Sequence, residues 1–451
     1  MNCGVEDDVR PSGTGQPVPY YPRLLVINGF GLSSQSASGR MLQNLLSAWP
    51  GTKLIYLHVG VGSMPDNRPP NTLWKPGVFG RVAKVAQGVH RGSNASPRVG
   101  KDGIASTGGS RWVKSSLLAW LELAPFRLDH QMARWIEAFR PQVIYTWLGT
   151  PAIQGLVRRI STRWQVPTVV HIMDDWVSCK HAGNWLAAPS RRALVRGFEQ
   201  EIAAAAERIA ICDKMAAAYR SRYGREFEVV PNAIDLSHFP APAIMRGSAA
   251  EGHRFTLGHV GRLSGGRLQG LVDVEAAFRV LARRGVSMRL ELVGVSREAL
   301  PLVLRDSPVV QCDPKASDER VRRLGLDADA LLQVESFDAP ENAWFRLSLS
   351  AKLPLYLALG RPVVAYGPHG LGSIDYVESG GCGVVIAERG VDAVTAALQR
   401  LLESPQQQVT MGQQARRLAE TKHDRVAVFD RFRRLLARAG KAEQPLRGPG
   451  S

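Results

Sequence analysis

The chain has 451 residues, 45% of them hydrophobic, which is more than one core holds at the apolar share of an ordinary globular protein, so two or three domains are expected. No apolar run reaches the roughly 18 residues that span a bilayer, and Met1 to Asp8 lack a basic region followed by an apolar core, so the protein is expected to stay in the cytoplasm. A net charge of +17 implies an anionic partner, whether nucleotide, nucleic acid or an acidic membrane face, while five scattered cysteines argue against a disulfide framework or a structural metal.

Residues 1–18 mix Gly, Pro, Ser and acids without period and read as a disordered tail. From Arg23 onward, short apolar runs alternate with helical stretches: Leu24 to Asn28, Lys53 to Val59, Val143 to Thr146, Thr168 to Ile172 and Arg208 to Ile211. That alternation predicts a parallel sheet covered by helices on both faces. After the first run, Gly29 and Gly31 and then Ser36 to Gly39 lead into a helix expected over Arg40 to Trp49. Such a loop offers amide N–H groups to an anion or sugar, which makes Gly31, Ser38 and Gly39 candidates for lining a cleft. The glycine spacing does not fit the dinucleotide fingerprint and no acid is placed to hold a ribose, so no nicotinamide cofactor is expected.

Within 78–114, Arg81, Lys84, Arg91, Arg98, Lys101, Arg111 and Lys114 stand among Gly and Ser, with Asp102 the one acid between Arg81 and Lys114. The aromatic and apolar run Trp112 to Phe126 overlaps its end. Two readings stand: docking on an anionic bilayer surface, or a solvated loop feeding a core helix. Asn94-Ala95-Ser96 matches the glycosylation pattern and is taken as chance. Val169 to Trp176 sets His171, Asp174 and Asp175 at the C-terminal end of a strand, where such sheets place functional groups. His171 is read as a proton-transfer or hydroxyl-recognition group; for the two aspartates, catalysis and helix capping both stand.

Pro240 to Gly252 reads as an interdomain linker, after which strand runs resume at Phe255 to Val260, Met288 to Val293, Ala330 to Val334, Pro362 to Val364 and Gly383 to Ile386. Two doubly wound domains would face each other across a cleft at their strand C-termini. Gly261 and Arg262 open a loop carrying Arg267, with a helix expected near Leu271; two guanidinium groups there could clamp a diphosphate. Further on, Leu349, Leu353, Tyr356 and Leu357 recur at helical spacing, Gly360 fits a left-handed stop, and Pro362 to Tyr366 is a strand. Lys352 near that helix start, with Ser348 and Ser350 a turn before it, suggests an anion site. A last helix over Arg425 to Ala437 carries Val428, Phe432 and Leu435 on one face. The expected organisation is thus a tail over 1–18, domains over 19–238 and 239–424, a returning helix over 425–440, and a tail over 441–451.

Taken in order, Glu207 to Met215, Val229 to Asp235, Gly261 and Arg262 with Arg267, and Lys352 to Pro368 resemble family 4 nucleotide-sugar glycosyltransferases of bacterial surface-glycan type, over about residues 20–440. The resemblance implies an α/β GT-B fold of two facing Rossmann-like domains, and transfer of a hexose from a nucleotide sugar to a glycan or lipid-linked glycan with retention of configuration. It implies no metal and no cofactor. Gly261, Arg262, Arg267, Ser348 and Lys352 would hold the donor, with Arg262 stabilising the departing diphosphate. His171 is similar to the family's histidine at the donor sugar, and Asn232 would lie along the cleft. The sequence departs at Leu347 and Leu355, where many members carry two glutamates, the second gripping the ribose; a non-catalytic or regulatory relative is therefore the alternative. Nucleic acid is not expected as a partner, because no known binding module is present.

Overall fold

The computed structural model describes residues 19–29, 37–59, 71–75, 108–239, 253–263 and 265–441. The expected tails at residues 1–18 and 442–451, Gly31, the segment 78–107 and the linker 240–252 lie outside the described residues.

The described strands form two wholly parallel sheets. The first contains β1 (Leu24–Asn28), β2 (Leu54–His58), β3 (Thr72–Trp74), β4 (Val143–Thr146), β5 (Thr168–Ile172), β6 (Glu207–Ala210) and β7 (Glu228–Val229), in the order β3-β2-β1-β4-β5-β6-β7. The second contains β8 (Phe255–Val260), β9 (Met288–Val293), β10 (Val310–Asp313), β11 (Ala330–Val334), β12 (Val363–Tyr366) and β13 (Gly383–Ile386), in the order β10-β9-β8-β11-β12-β13. In each, winding reverses beside the first strand, between β1 and β4 and between β8 and β11, and a crevice at the strand C-termini follows from that reversal. Every residue of β1, β2, β4 and β5 is buried, as a sheet with helices on both faces requires.

Three strands escaped the apolar-run reading. β3 and β7 are three and two residues long, and the edge strand β10, Val310-Gln-Cys-Asp313, has no apolar run to signal it. Three helices also begin or end elsewhere than expected. Ala37–Leu46 starts ahead of Arg40, Gly266–Arg283 starts ahead of Leu271, and the stretch around Leu349 is helical only over Leu353–Ala358.

The final helix, Arg425–Lys441, lies on the first sheet, although the chain reaches it only after building the second. Phe432 is fully buried, its ring 5.1 Å from Tyr145 of β4 and 6.3 Å from Trp49, both edge-to-face. The two chain crossings between the domains are tied together. Ile234 N–H donates to the His423 carbonyl at 2.9 Å and Arg425 N–H to the Ile234 carbonyl at 3.0 Å. His423 closes a π-helical turn over Ala419–His423; its Nδ1 donates to the Asn232 carbonyl at 2.8 Å and its Nε2 accepts from Tyr376 Oη at 2.8 Å. Burial pushes that imidazole down to about 4, so it is neutral and the tautomer is set by these partners.

Candidate functional site

On the second domain the site begins where β8 and β9 end. Gly261 has φ +92° and Gly294 φ +81°, a region that favours glycine, and a Cβ on Gly294 would stand 3.4 Å from Gly261 Cα and N. The two loops therefore touch, and the Lys352 stem passes just beyond: a Cβ on Gly261 would sit 3.8 Å from its Cδ. The Lys352 Nζ is buried and has no hydrogen-bond partner among the described residues. Burial holds its pKa down to about 8, the Arg267 charge pushes the same way, and Glu335 opposes both. A buried amine without a partner is costly, and a bound anion would supply one.

Arg267 differs from the expectation of a free diphosphate clamp. It stands in the first turn of Gly266–Arg283, where its Nε and Nη2 donate to Glu335 Oε2 at 2.9 and 2.6 Å and its guanidinium lies 4.4 Å over the Phe345 ring. Glu335, just past β11, is 3% exposed, and its Oε1 accepts from Gln333 Nε2 at 2.8 Å. Arg262 is exposed. The serines also differ from the expected anion site. Ser348 Oγ donates to the Trp344 carbonyl at 3.2 Å, and Ser350 Oγ accepts from Lys352 N–H at 3.4 Å, because this stretch is a turn ahead of a six-residue helix. Leu347 is buried and Leu355 packs against the same core, so these two positions are built as hydrophobic contacts.

His171, expected to meet the donor sugar, is 1% exposed inside the first sheet. Trp147 Nε1 donates to Tyr145 Oη at 2.8 Å, so the Tyr145 hydroxyl hydrogen points to His171 Nδ1, also at 2.8 Å, and leaves the ring proton on Nε2. Burial pushes this pKa down to about 3. It is a neutral group with no open face toward the cleft. Asp175 is also withdrawn. It is fully buried, and its Oδ1 accepts from Tyr219 Oη at 2.8 Å, Ser178 Oγ at 2.9 Å and Arg222 Nη1 at 3.1 Å. That is the environment of a scaffold ion pair.

Asp174 takes the opposite course. It reaches solvent, yet the two domains crowd it, and desolvation raises its pKa, with the nearby Ser348 hydroxyl of the facing domain pulling the other way. Three further contacts close the cleft beside it: Cys212 Sγ to the Leu347 carbonyl at 3.2 Å, Lys214 Nζ to Asp375, and Lys214 Nζ to the Gly370 carbonyl at 2.6 Å. Among the described residues, His369, Asp375 and Glu378 bring ligand atoms within 4.8 Å of one another, but the Lys214 ammonium already sits on Asp375. Ser38 and Gly39 are helical rather than part of a loop, in the first turn of Ala37–Leu46. Asn44 of that helix donates to the Ala233 carbonyl at 3.2 Å, beside the buried Asn232.

Residues 98–238 match the model described as Glycosyltransferase Family 4. That segment is similar to a family 4 glycosyltransferase domain, and the two parallel sheets have the GT-B arrangement. The fold is that of solved glycosyltransferases along nearly their whole length. Sucrose-phosphate synthase from Thermosynechococcus elongatus is 13% identical, with 93% of this chain and 100% of that one covered and a TM-score of 0.60. HepE from Anabaena, solved with UDP and glucose, is 15% identical, with 92% and 99% covered and a TM-score of 0.58. WaaG, described as a glycosyltransferase of lipopolysaccharide biosynthesis, is 14% identical, with 92% and 99% covered and a TM-score of 0.55. No curated protein matches the chain in sequence.

Among the described residues no helix is long and apolar enough to cross a membrane. The helix Gly108–Leu121 is nevertheless no ordinary core helix, because Leu117, Leu118 and Trp120 are exposed while Ala119 between them is buried. Trp120 Nε1 donates to the Leu186 carbonyl at 3.0 Å, next to Trp185, which is 73% exposed.

Proposed function

We propose that this GT-B glycosyltransferase moves a hexose from a nucleotide sugar, held by the second domain, to a glycan or lipid-linked glycan presented on the first, with retention of configuration as the family resemblance implies. The observation that carries the donor assignment is Lys352: a buried ammonium with no partner among the described residues, against the glycine turn that ends β8 and beside Arg267. A nucleoside diphosphate would give that amine its missing acceptors and raise its pKa. Arg262 at the same turn would share the charge that develops on the departing diphosphate, with no step requiring a metal. Glu335 would leave Arg267 oriented and partly neutralised. Asp174, at the domain junction with a raised pKa, is better placed than His171 or Asp175 to meet a sugar hydroxyl.

The apolar patch of Leu117, Leu118, Trp120 and Trp185 supports an acceptor held in a membrane, and so a protein that works at the cytoplasmic membrane face. Tryptophans of this kind settle at headgroup depth, and the cations of 81–114 suit anionic lipid.

Thermal unfolding with UDP-, GDP-, ADP- and CDP-sugars tests the donor half. A ligand at a hundred times its dissociation constant adds about 2.7 kcal/mol, which raises Tm by several degrees. A rise with one nucleotide class that is lost in Arg262→Ala supports the reading, and no rise with any of them refutes it. For the membrane half, sedimentation with anionic vesicles should fall in Trp120→Ala/Trp185→Ala; equal sedimentation of both proteins refutes it.

A further inference from the structure

A second cluster of polar side chains stands on the first domain, at the same strand edge that faces the cleft. The short helix Trp176–Cys179 that follows β5 leads into Lys180 and His181, and the helix Gly108–Leu121 ends just before Glu122. Glu122 Oε2 lies 3.1 Å from His181 Nε2, and Glu122 Oε1 lies 2.8 Å from Lys180 Nζ. Lys180 Nζ also donates to the Gly149 carbonyl at 3.0 Å, which ties the loop after β5 to the loop after β4. His181 has φ +59°, a left-handed conformation that a non-glycine residue adopts at a cost, so the backbone is held to present this ring.

The tautomer follows from the carboxylate. The pKa of Glu122 is lowered: its bonds to His181 and Lys180 outweigh the desolvation that would raise it. It is therefore an ionised acceptor, and His181 Nε2 must be the donor. In the neutral ring Nδ1 then carries the lone pair. It forms no hydrogen bond with any described residue, and the side chain keeps 10% of its surface exposed. Carboxylate, oriented imidazole and open nitrogen form the arrangement that binds a hydroxyl hydrogen. Asn184 stands three residues on and donates to the Ser116 hydroxyl at 3.1 Å.

We infer that His181, oriented by Glu122, is the acceptor-hydroxyl site: its Nδ1 accepts a hydrogen bond from a sugar hydroxyl of the incoming glycan. The inference rests on the transferase reading above. It adds that the acceptor is a polyhydroxylated headgroup, seated where the exposed Trp120 and Trp185 can hold an apolar tail. Glu122 is then a positioning residue and His181 the residue that touches substrate.

The test uses the full chain with 15N-labelled histidine rings, His181→Gln for assignment, and octyl β-glucoside as a hydroxylated amphiphile, above the ordinary histidine pKa of about 6.5. His181 should be a single Nε2–H tautomer whose Nδ1 resonance moves on adding the glucoside. Glu122→Gln, whose amide oxygen still accepts from Nε2–H, should keep the tautomer, and Glu122→Ala should lose it. His181→Gln should weaken half-saturation by the glucoside about two- to tenfold, the worth of one neutral hydrogen bond. A protonated Nδ1, or a ring untouched by the glucoside, overturns the inference. A parallel unfolding series with UDP-glucose separates the two readings: a donor shift equal in wild type and His181→Gln, with a silent ring, sinks only the acceptor site. A responsive ring without any nucleotide-sugar shift sinks only the transferase reading.

Discussion

Replacing Lys352 by Met should make the donor-free protein more stable and the donor site useless. The lysine stem is partly exposed, but the amine is sealed and its pKa is held at about 8 against an ordinary 10.5. The unfolded chain therefore binds a proton that the native state resists over the window between those values, so native stability rises as pH climbs from about 8 to 10.5. Below 8 the whole cost is present. At ~1.4 kcal/mol for each pH unit, that cost is at most about 3.5 kcal/mol, an upper bound because the flexible side chain can relax toward water. Methionine keeps the stem and removes the charge, so Tm at pH 7 should rise by up to about 7–14 °C, and the advantage should vanish near pH 11. Calorimetric titration with the productive nucleotide checks the other half. At pH 8 the wild-type amine is about half protonated, and binding a diphosphate should draw up to about half a proton from the buffer. Lys352→Met should show neither the uptake nor the binding. A variant that is no more stable than wild type, or that still binds with the same proton uptake, would refute the role given to this amine.

Three further substitutions separate scaffold from site. Asp175→Ala strands Arg222, Tyr219 and Ser178 and should cost about 3 kcal/mol, at the low end for a buried pair because Arg222 keeps one face in water; denaturant unfolding reads this directly. Phe432→Ala should cost about 3–5 kcal/mol and lower the unfolding temperature of the first domain, since its ring closes the contacts with Tyr145 and Trp49. Lys214→Ala, by contrast, removes a bridge whose partners are each about a third exposed, and should change stability by less than about 1 kcal/mol in the same assay.

The architecture was legible because parallel strands covered on both faces must be apolar throughout, and Leu24 to Asn28 or Phe255 to Val260 state that in a few residues. Lys352 was legible for the converse reason, as a cation set into an apolar run. What the sequence hides is pairing at a distance. Arg267 read as a free cation because Glu335, 68 residues on, looks like any acid at the end of a strand. Glu122 and His181 are 59 residues apart, and neither belongs to a motif. A histidine at a strand's end also reads alike whether it faces a cleft or the core. Only the side-chain neighbours Tyr145 and Trp147 decide that His171 is of the second kind.

The placement of Arg425–Lys441 has a consequence for how the chain comes into being. The first domain is made first, but the helix that covers Tyr145 and Trp49 is translated only after the strands of the second domain. During synthesis the nascent first domain therefore presents an uncovered apolar face until Arg425–Lys441 emerges, while the second has all its described strands as soon as Ile386 emerges. A truncation ahead of Arg425 should leave the second half folded and the first half aggregation-prone, so the earliest part of the polypeptide is the last to mature.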